Sequence, residues 1–208
     1  MKFVVKMIWI VSFCILPVCA WAQWTSVYET GQENNFGMGF QVSHSSMNDT
    51  TKNMNGVSVD YQFDDVPGVG IHMLYTFNDI FALTVNLDTI MNSSVHIKTA
   101  GTKAKIGELS TLPLTLSARF YLPTDTIFKP YLGAGFGYYF NSFDSSVSDV
   151  DIDDAFGFHY TFGADLWINR LENTALNIDI KYLKPDTEND HLDWDAWNIG
   201  IGLIYFFK

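Results

Sequence analysis

Apolar residues alternate with small or polar ones along most of the chain. The clearest run is 129–140. There Leu132, Ala134, Phe136, Tyr138 and Phe140 fall on one face of an extended strand, and Tyr131, Gly133, Gly135, Gly137 and Tyr139 on the other. Three glycines on one face weaken an ordinary strand. They suit the concave side of a tightly curved sheet whose aromatic side is turned to lipid. The same period predicts seven more strands. In Asn34–Ser46, Phe36, Met38, Phe40 and Val42 stand opposite Gly37, Gly39, Gln41 and Ser43. The others run over about 68–77, 80–90, 111–121, 156–168, 175–182 and 195–207. Short connections at 78–79, 123–126 and 169–174 alternate with long polar ones at 47–65, 91–110, 141–155 and 183–194. The first long connection holds a short alternating piece, Val57–Phe63, which reads either as a hairpin arm or as an extension of the next strand. Asn78-Asp79 reads as a tight two-residue hairpin turn.

These strands have the length a tilted strand needs to cross a bilayer. Long and short connections alternate as in outer-membrane barrels, with long extracellular loops and short periplasmic turns. The pattern predicts an all-β fold: an eight-stranded, antiparallel, up-and-down transmembrane β-barrel with both termini in the periplasm. On every strand the apolar face is the continuous one, and the mixed face carries the charges. A soluble eight-stranded barrel such as a lipocalin inverts this arrangement.

The N-terminus sets the compartment. Lys2 and Lys6 precede an apolar run from Met7 to Cys19, and Ala20-Trp21-Ala22 is a small-x-small cleavage site. Residues 1–22 read as a secretory signal peptide and 23–208 as the barrel domain. The run is shorter than a spanning helix needs. Leu16-Pro17-Val18-Cys19 faintly resembles a lipoprotein site, although Val18 is larger than that site prefers. Cys14 and Cys19 both lie in the leader, so the mature barrel is expected to hold no disulfide. The net charge of -11 becomes -13 once Lys2 and Lys6 leave with the leader, which argues against nucleic-acid binding. Aromatics make up 16% of the chain, yet no mature segment is apolar for long enough to span as a helix, which points again to strands.

Alternation places Gln41, His72, Asp88, Arg119, His159, Asp165, Asp179, Lys181 and Asn198 in the lumen. Side chains just fill the interior of an eight-stranded barrel. Charges there need partners. One reading is a structural network that pairs Arg119 and Lys181 with Asp88, Asp165 and Asp179. The sharper reading is a narrow polar path for ions. A catalytic role would need a base and a nucleophile together at the rim. His44 with Ser43, Ser45 and Ser46 is the nearest approach to one, without a recognisable motif, and the chain is not read as an enzyme. His96 and His191 fall in loops. Asp144, Asp149, Asp151, Asp153 and Asp154 make an acidic loop whose oxygens could bind a divalent cation, but it lacks the spacing of a known calcium loop and reads first as a solvated loop facing outside; no metal or other cofactor is expected.

The residues also carry a family resemblance. Pro113–Tyr121, followed by Lys129-Pro130-Tyr131-Leu132-Gly133-Ala134-Gly135-Phe136-Gly137-Tyr138, resembles the central signature of the OmpW family of outer-membrane proteins. Val95-His96-Ile97-Lys98 is similar to the family's His-containing loop, and Leu176–Tyr182 and Gly200–Phe207 to its closing strands. The start of the mature chain does not match well, and Lys208 follows Phe207 where such barrels usually end on the aromatic. The resemblance implies passive movement of small, mainly hydrophobic molecules across the outer membrane of a Gram-negative bacterium. A solute would enter at a mouth lined by Met47, Met54, Leu109 and Phe143 and leave sideways between strands. The implied partners are outer-membrane lipids, small hydrophobic solutes and, during biogenesis, the barrel assembly machinery. The alternatives are loop-mediated binding or adhesion, or a structural barrel with a plugged lumen.

Overall fold

The alternating segments form strands with their apolar sides turned outward. The computed structural model describes residues 35–54, 57–99, 102–124, 126–145, 152–168, 173–186 and 194–207. The expected leader, His191, Asp149, Asp151 and Lys208 lie outside these residues. Among those described are β1 (Asn35–Met47), β2 (Thr50–Met54), β3 (Val57–Phe63), β4 (Val66–Thr76), β5 (Phe81–Asp88), β6 (Ile90–Thr99), β7 (Thr102–Tyr121), β8 (Phe128–Ser145), β9 (Ala155–Trp167), β10 (Thr174–Asp186) and β11 (Ala196–Phe207).

Eight strands close into an antiparallel barrel. β1 pairs with β4, β4 with β5, β5 with β7, and β7 with β8. β8 then pairs with β9, β9 with β10, β10 with β11, and β11 returns to β1. The closing pair runs in unbroken register from Phe36 opposite Phe207 to Met47 opposite Ala196. Closure removes the sheet edge that a bilayer cannot satisfy.

Beyond the long-loop end, β2, β3 and β6 continue the wall as a sheet joined to the first half of β7. This corrects the expected polar connection at 91–110, most of which is strand. The physical cause is a second alternating set, Val95, Ile97, Ile106 and Leu109, which packs with Tyr61 and Phe63 over the barrel mouth. Register shifts between Ile90 and Ser93 and between Val95 and His96 break its period. Asn92 sits in the first shift with φ 52°, a left-handed conformation that Asn tolerates better than most residues. Val57–Phe63 is both a hairpin arm, against β2, and the lead into β4. The 78–79 turn is also wider than expected. Phe77 N donates to Phe81 O at 3.0 Å, and Asn78 Oδ1 accepts from Ile80 N and Phe81 N at 2.9 and 2.8 Å. The Asn78 side chain stands in for a backbone acceptor and supports a four-residue loop.

The outer surface is apolar through its middle. Phe40, Val42, Leu132, Phe136, Phe158, Phe162, Ile199 and Ile201 are all exposed, Phe158 at 60%. In water so large an apolar surface would drive aggregation; in a bilayer it is the lipid contact. Aromatic pairs mark both rims. Phe36–Phe207, Tyr75–Phe77, Phe77–Phe81 and Phe81–Phe120 ring the short-turn end, and Tyr138–Phe140, Phe136–Phe156 and Tyr182–Trp197 the long-loop end. These are the two interface girdles of an outer-membrane barrel.

Candidate functional site: the layered lumen

Inward positions on the strands stack in three layers. At the long-loop end Met47, Tyr61, Phe63, Val66, Ile90, Val95, Leu109, Tyr139, Leu183 and Trp194 form an apolar cap. At the short-turn end Leu74, Tyr121, Tyr131, Ile204 and Phe206, with Trp167 against them, form an apolar plug. Between them lies a buried polar layer that contains Gln41, His72, Asp88, Arg119, His159, Asp165, Asp179, Lys181 and Asn198.

Glycines make room for that layer. Asp179 on β10 is the register partner of Gly200 on β11. A Cβ on Gly200 would stand 2.7 Å from Asp179 Oδ1 and 3.3 Å from Gln41 Oε1. Gly70, opposite Asp88, is equally confined, because a Cβ there would run into the Asp88 carboxylate. Glycine therefore sits where side chains from neighbouring strands cross the narrow interior.

The layer's contacts divide into two groups. Lys181 Nζ donates to Asp88 Oδ2 at 2.7 Å, and Gln41 Nε2 donates to Asp88 Oδ1 at 3.0 Å. This joins β10, β5 and β1 across the lumen. In the second group Asp165 accepts from Tyr121 OH at 2.7 Å and from Asn177 Nδ2 at 2.6 Å, and Asn177 Nδ2 also donates to Tyr131 OH at 3.0 Å. Arg119 departs from the expected pairing. It forms no ion pair among the described residues and instead lies over the Tyr131 ring, its Cζ 4.4 Å from the centroid. Its strand neighbour on β8 is Gly133, which leaves space for the long side chain. Arg119 Nη1, both His72 ring nitrogens and both Asp179 oxygens have no hydrogen-bond partner among the described residues.

Sequence reasoning does not single out Tyr121, Tyr131 or Asn177, although their parity places them inward. The alternation carries that signal, but an uncharged side chain gives no electrostatic reason to pick it. Ser117 Oγ and His159 Nε2 lie 2.7 Å apart inside the same layer. The rim set around His44 is not assembled. His44 points outward, 3.6 Å from Asp65, while Ser45 points inward and accepts from Asn198 Nδ2 at 2.8 Å. Neighbouring residues on a strand face opposite sides, so Ser43 and Ser45 cannot share a site with His44 there. His96 lies 3.4 Å from Asp64. Asp154 Oδ1 accepts from Asn141 N at 3.0 Å. Among the described residues no group of three or more acidic, His or Cys side chains is placed to hold a metal. Of the expected mouth residues, Met47 and Leu109 are buried in the cap and Phe143 packs against it. The Met54 side chain lies outside the described residues.

A family model for the OmpW family matches residues 33–198. The chain belongs to the OmpW family. Outer membrane protein W of Vibrio cholerae is 24% identical over 85% of each chain. A dibenzothiophene metabolism operon protein, PahQ of Pseudomonas aeruginosa, is 31% identical over 39% of this chain and 40% of its own. The crystal structure of the outer membrane protein OprG from Pseudomonas aeruginosa aligns with a TM-score of 0.70 at 20% identity, covering 84% of this chain and 96% of OprG. This OmpW-family chain is therefore an outer-membrane β-barrel protein.

Proposed function

We propose that the barrel takes small hydrophobic molecules from the outside at its apolar cap and releases them sideways into the outer leaflet, passively and without passage through the lumen. The observation that carries this reading is a two-residue gap in the ladder pairing beside the cap. β7 pairs with β5 up to Leu114 opposite Leu87, and with β6 from Thr111 opposite Ile90. Between these pairs, Leu112 and Pro113 have no partner on that side. Tyr121 N donates to Ile80 O on the β5 side. Backbone N–H directions alternate along a strand, so the nitrogen of Pro113, eight residues earlier in a continuous register, points the same way and has no hydrogen to give. The register runs on through the gap, since Leu87–Leu114 and Ile90–Thr111 are in line. Asp88 and Thr89 keep their β4 partners, Thr89 N donating to Val69 O at 2.8 Å, so what is lost beside the cap is ladder bonding to β7.

The inner side of the gap supports the same route. Pro113 lies opposite Tyr139, which packs edge-on against Trp194 in the cap at a centroid distance of 5.7 Å. A solute held there has the broken ladder beside it and the Asp88–Lys181 pair below it. An apolar molecule gains nothing by entering a charged layer, so the sideways route is the favourable one. The PahQ relative, named for a dibenzothiophene metabolism operon, agrees with an aromatic, uncharged class of solute.

Pro113→Thr tests the route. Threonine restores a ladder donor in a similar volume and favours strand. Uptake of an uncharged arene by cells with the barrel as their main route is expected to fall severalfold, with the amount of folded barrel unchanged. Uptake that is the same for Pro113→Thr and unaffected by blocking the mouth would exclude the sideways route.

A further inference from the structure

Above the lipid-facing band the β6–β7 hairpin carries a face of lysines. Lys98 lies opposite Lys103, and His96 opposite Lys105. Cross-strand partners share a side of the sheet, and so do residues two apart on one strand, so these four side chains stand together. The other side of the hairpin, through Val95, Ile97, Ile106 and Leu109, packs into the cap. The lysine side therefore faces away from the barrel axis. It also continues the lipid-facing side of β7. Leu112, which its neighbours cover, then Ser110 and Glu108 follow on that side, and the shift between Val95 and His96 passes it to Lys105 and Lys103.

The charge here is unusual for the molecule. Among the described side chains the exposed lysines are Lys98, Lys103, Lys105 and Lys184, so three of four share this face. Like charges directly opposite each other destabilise a strand pair. Two of the three have an acid nearby. Lys105 Nζ reaches Glu108 Oε1 at 2.6 Å, and Asp60 is the register partner of Lys98. Lys103 has no carboxylate partner among the described residues.

We propose that this lysine face docks the phosphorylated saccharide headgroups of the outer leaflet. Its height selects that partner. Lys105 lies nine residues beyond Leu114, the last partly exposed apolar residue on that side of β7, roughly 25–30 Å along the strand, and less along the membrane normal because the strands tilt. A phospholipid interface adds only about 5–8 Å to each side of the hydrocarbon core, too shallow to reach Lys105. A headgroup built of several sugars extends that far, and its phosphates supply the anions. The rest of the expected mature chain is strongly acidic and would be repelled by such a layer. The lysine face, whose three lysines stand beside Asp60, Glu108 and Asp64, offsets that repulsion on one flank, with Lys103 the cation left without a carboxylate among the described residues.

The test titrates glycolipid into zwitterionic micelles holding the full chain. One glycolipid carries phosphates on a multi-sugar headgroup, and a second is the same lipid with its phosphates removed. The triple variant K98Q/K103Q/K105Q is expected to bind the phosphorylated lipid roughly tenfold or more weakly than the wild type, with the gap closing as salt is raised. The dephosphorylated lipid should not distinguish the two proteins. Equal binding of the phosphorylated lipid by both would overturn the proposal. So would full competition by inorganic phosphate, which would make the face a site for free anions. If the triple variant does not fold, K103Q alone should still weaken binding severalfold, and unchanged binding by K103Q would equally overturn the proposal.

Discussion

At the scale of single residues, the lumen trades desolvation against pairing. Lys181 and Asp88 are almost wholly buried, and their 2.7 Å contact is what makes burial of both charges tolerable. Removing one partner leaves the other unpaired in a low-dielectric interior. Lys181→Met is therefore expected to cost about 3–5 kcal/mol in urea unfolding from micelles. The double variant Lys181→Met with Asp88→Asn should cost clearly less than the sum of the single changes, because it leaves no charge stranded. Additive losses would mean that the pair does not couple. Gly200→Ala probes the space instead of the charge. Its Cβ would press on Asp179 Oδ1 at 2.7 Å from one strand away. A loss of about 1–3 kcal/mol is expected, as for other overpacked interiors. A neutral result would mean that Asp179 can swing clear.

At the scale of elements, β7 organises the wall, because it pairs with β5, β6 and β8 along its 20 residues. Its pairing with β6 is braced at Asn92. There Asn92 N donates to Ser110 Oγ at 3.1 Å, and Ser110 Oγ donates back to Asn92 Oδ1 at 2.9 Å. Asn92→Val puts a β-branched side chain at a positive φ and removes one of these bonds. It should destabilise the barrel by about 1–2 kcal/mol, whereas Asn92→Gly, which keeps the backbone free, should cost less. Equal stabilities for the two variants would show that the conformation is not strained. Asn92 also marks where the sequence stops being legible. Strands with an unbroken period of two, such as 156–168 and 195–207, can be read directly, and so can their inward charges. The sheet at 90–110 cannot, because each bulge adds a residue that switches the faces, and an alternation counted straight through it averages to nothing. Parity places Arg119 on the correct side. Its partner is not legible, because opposite charge is visible in a sequence, whereas an aromatic ring two residues along the next strand is not.

At the scale of the whole molecule, the order of the layers matters more than the polar residues taken alone. An ion that crosses the barrel must pass the cap, the charged layer and the plug in turn. Among the described residues, only the middle layer holds buried charged side chains. A narrow apolar constriction blocks ions by refusing water, whatever the charges beside it do. Arg119→Ala alone is therefore expected to leave planar-bilayer recordings closed, as for the wild type, since Phe206, Trp167 and Tyr131 still fill the short-turn end. A conductance is expected only when the plug is cut back as well, as in Arg119→Ala combined with Phe206→Ala and Trp167→Ala. Because the proposed solute route leaves the barrel above the charged layer, arene uptake by that triple variant should stay near the wild-type level while its conductance rises. Steady current through the wild type that changes with Arg119→Ala alone would reverse this ordering. It would make the lumen a continuous polar path, with Asp88, Asp165, Asp179 and Lys181 lining it.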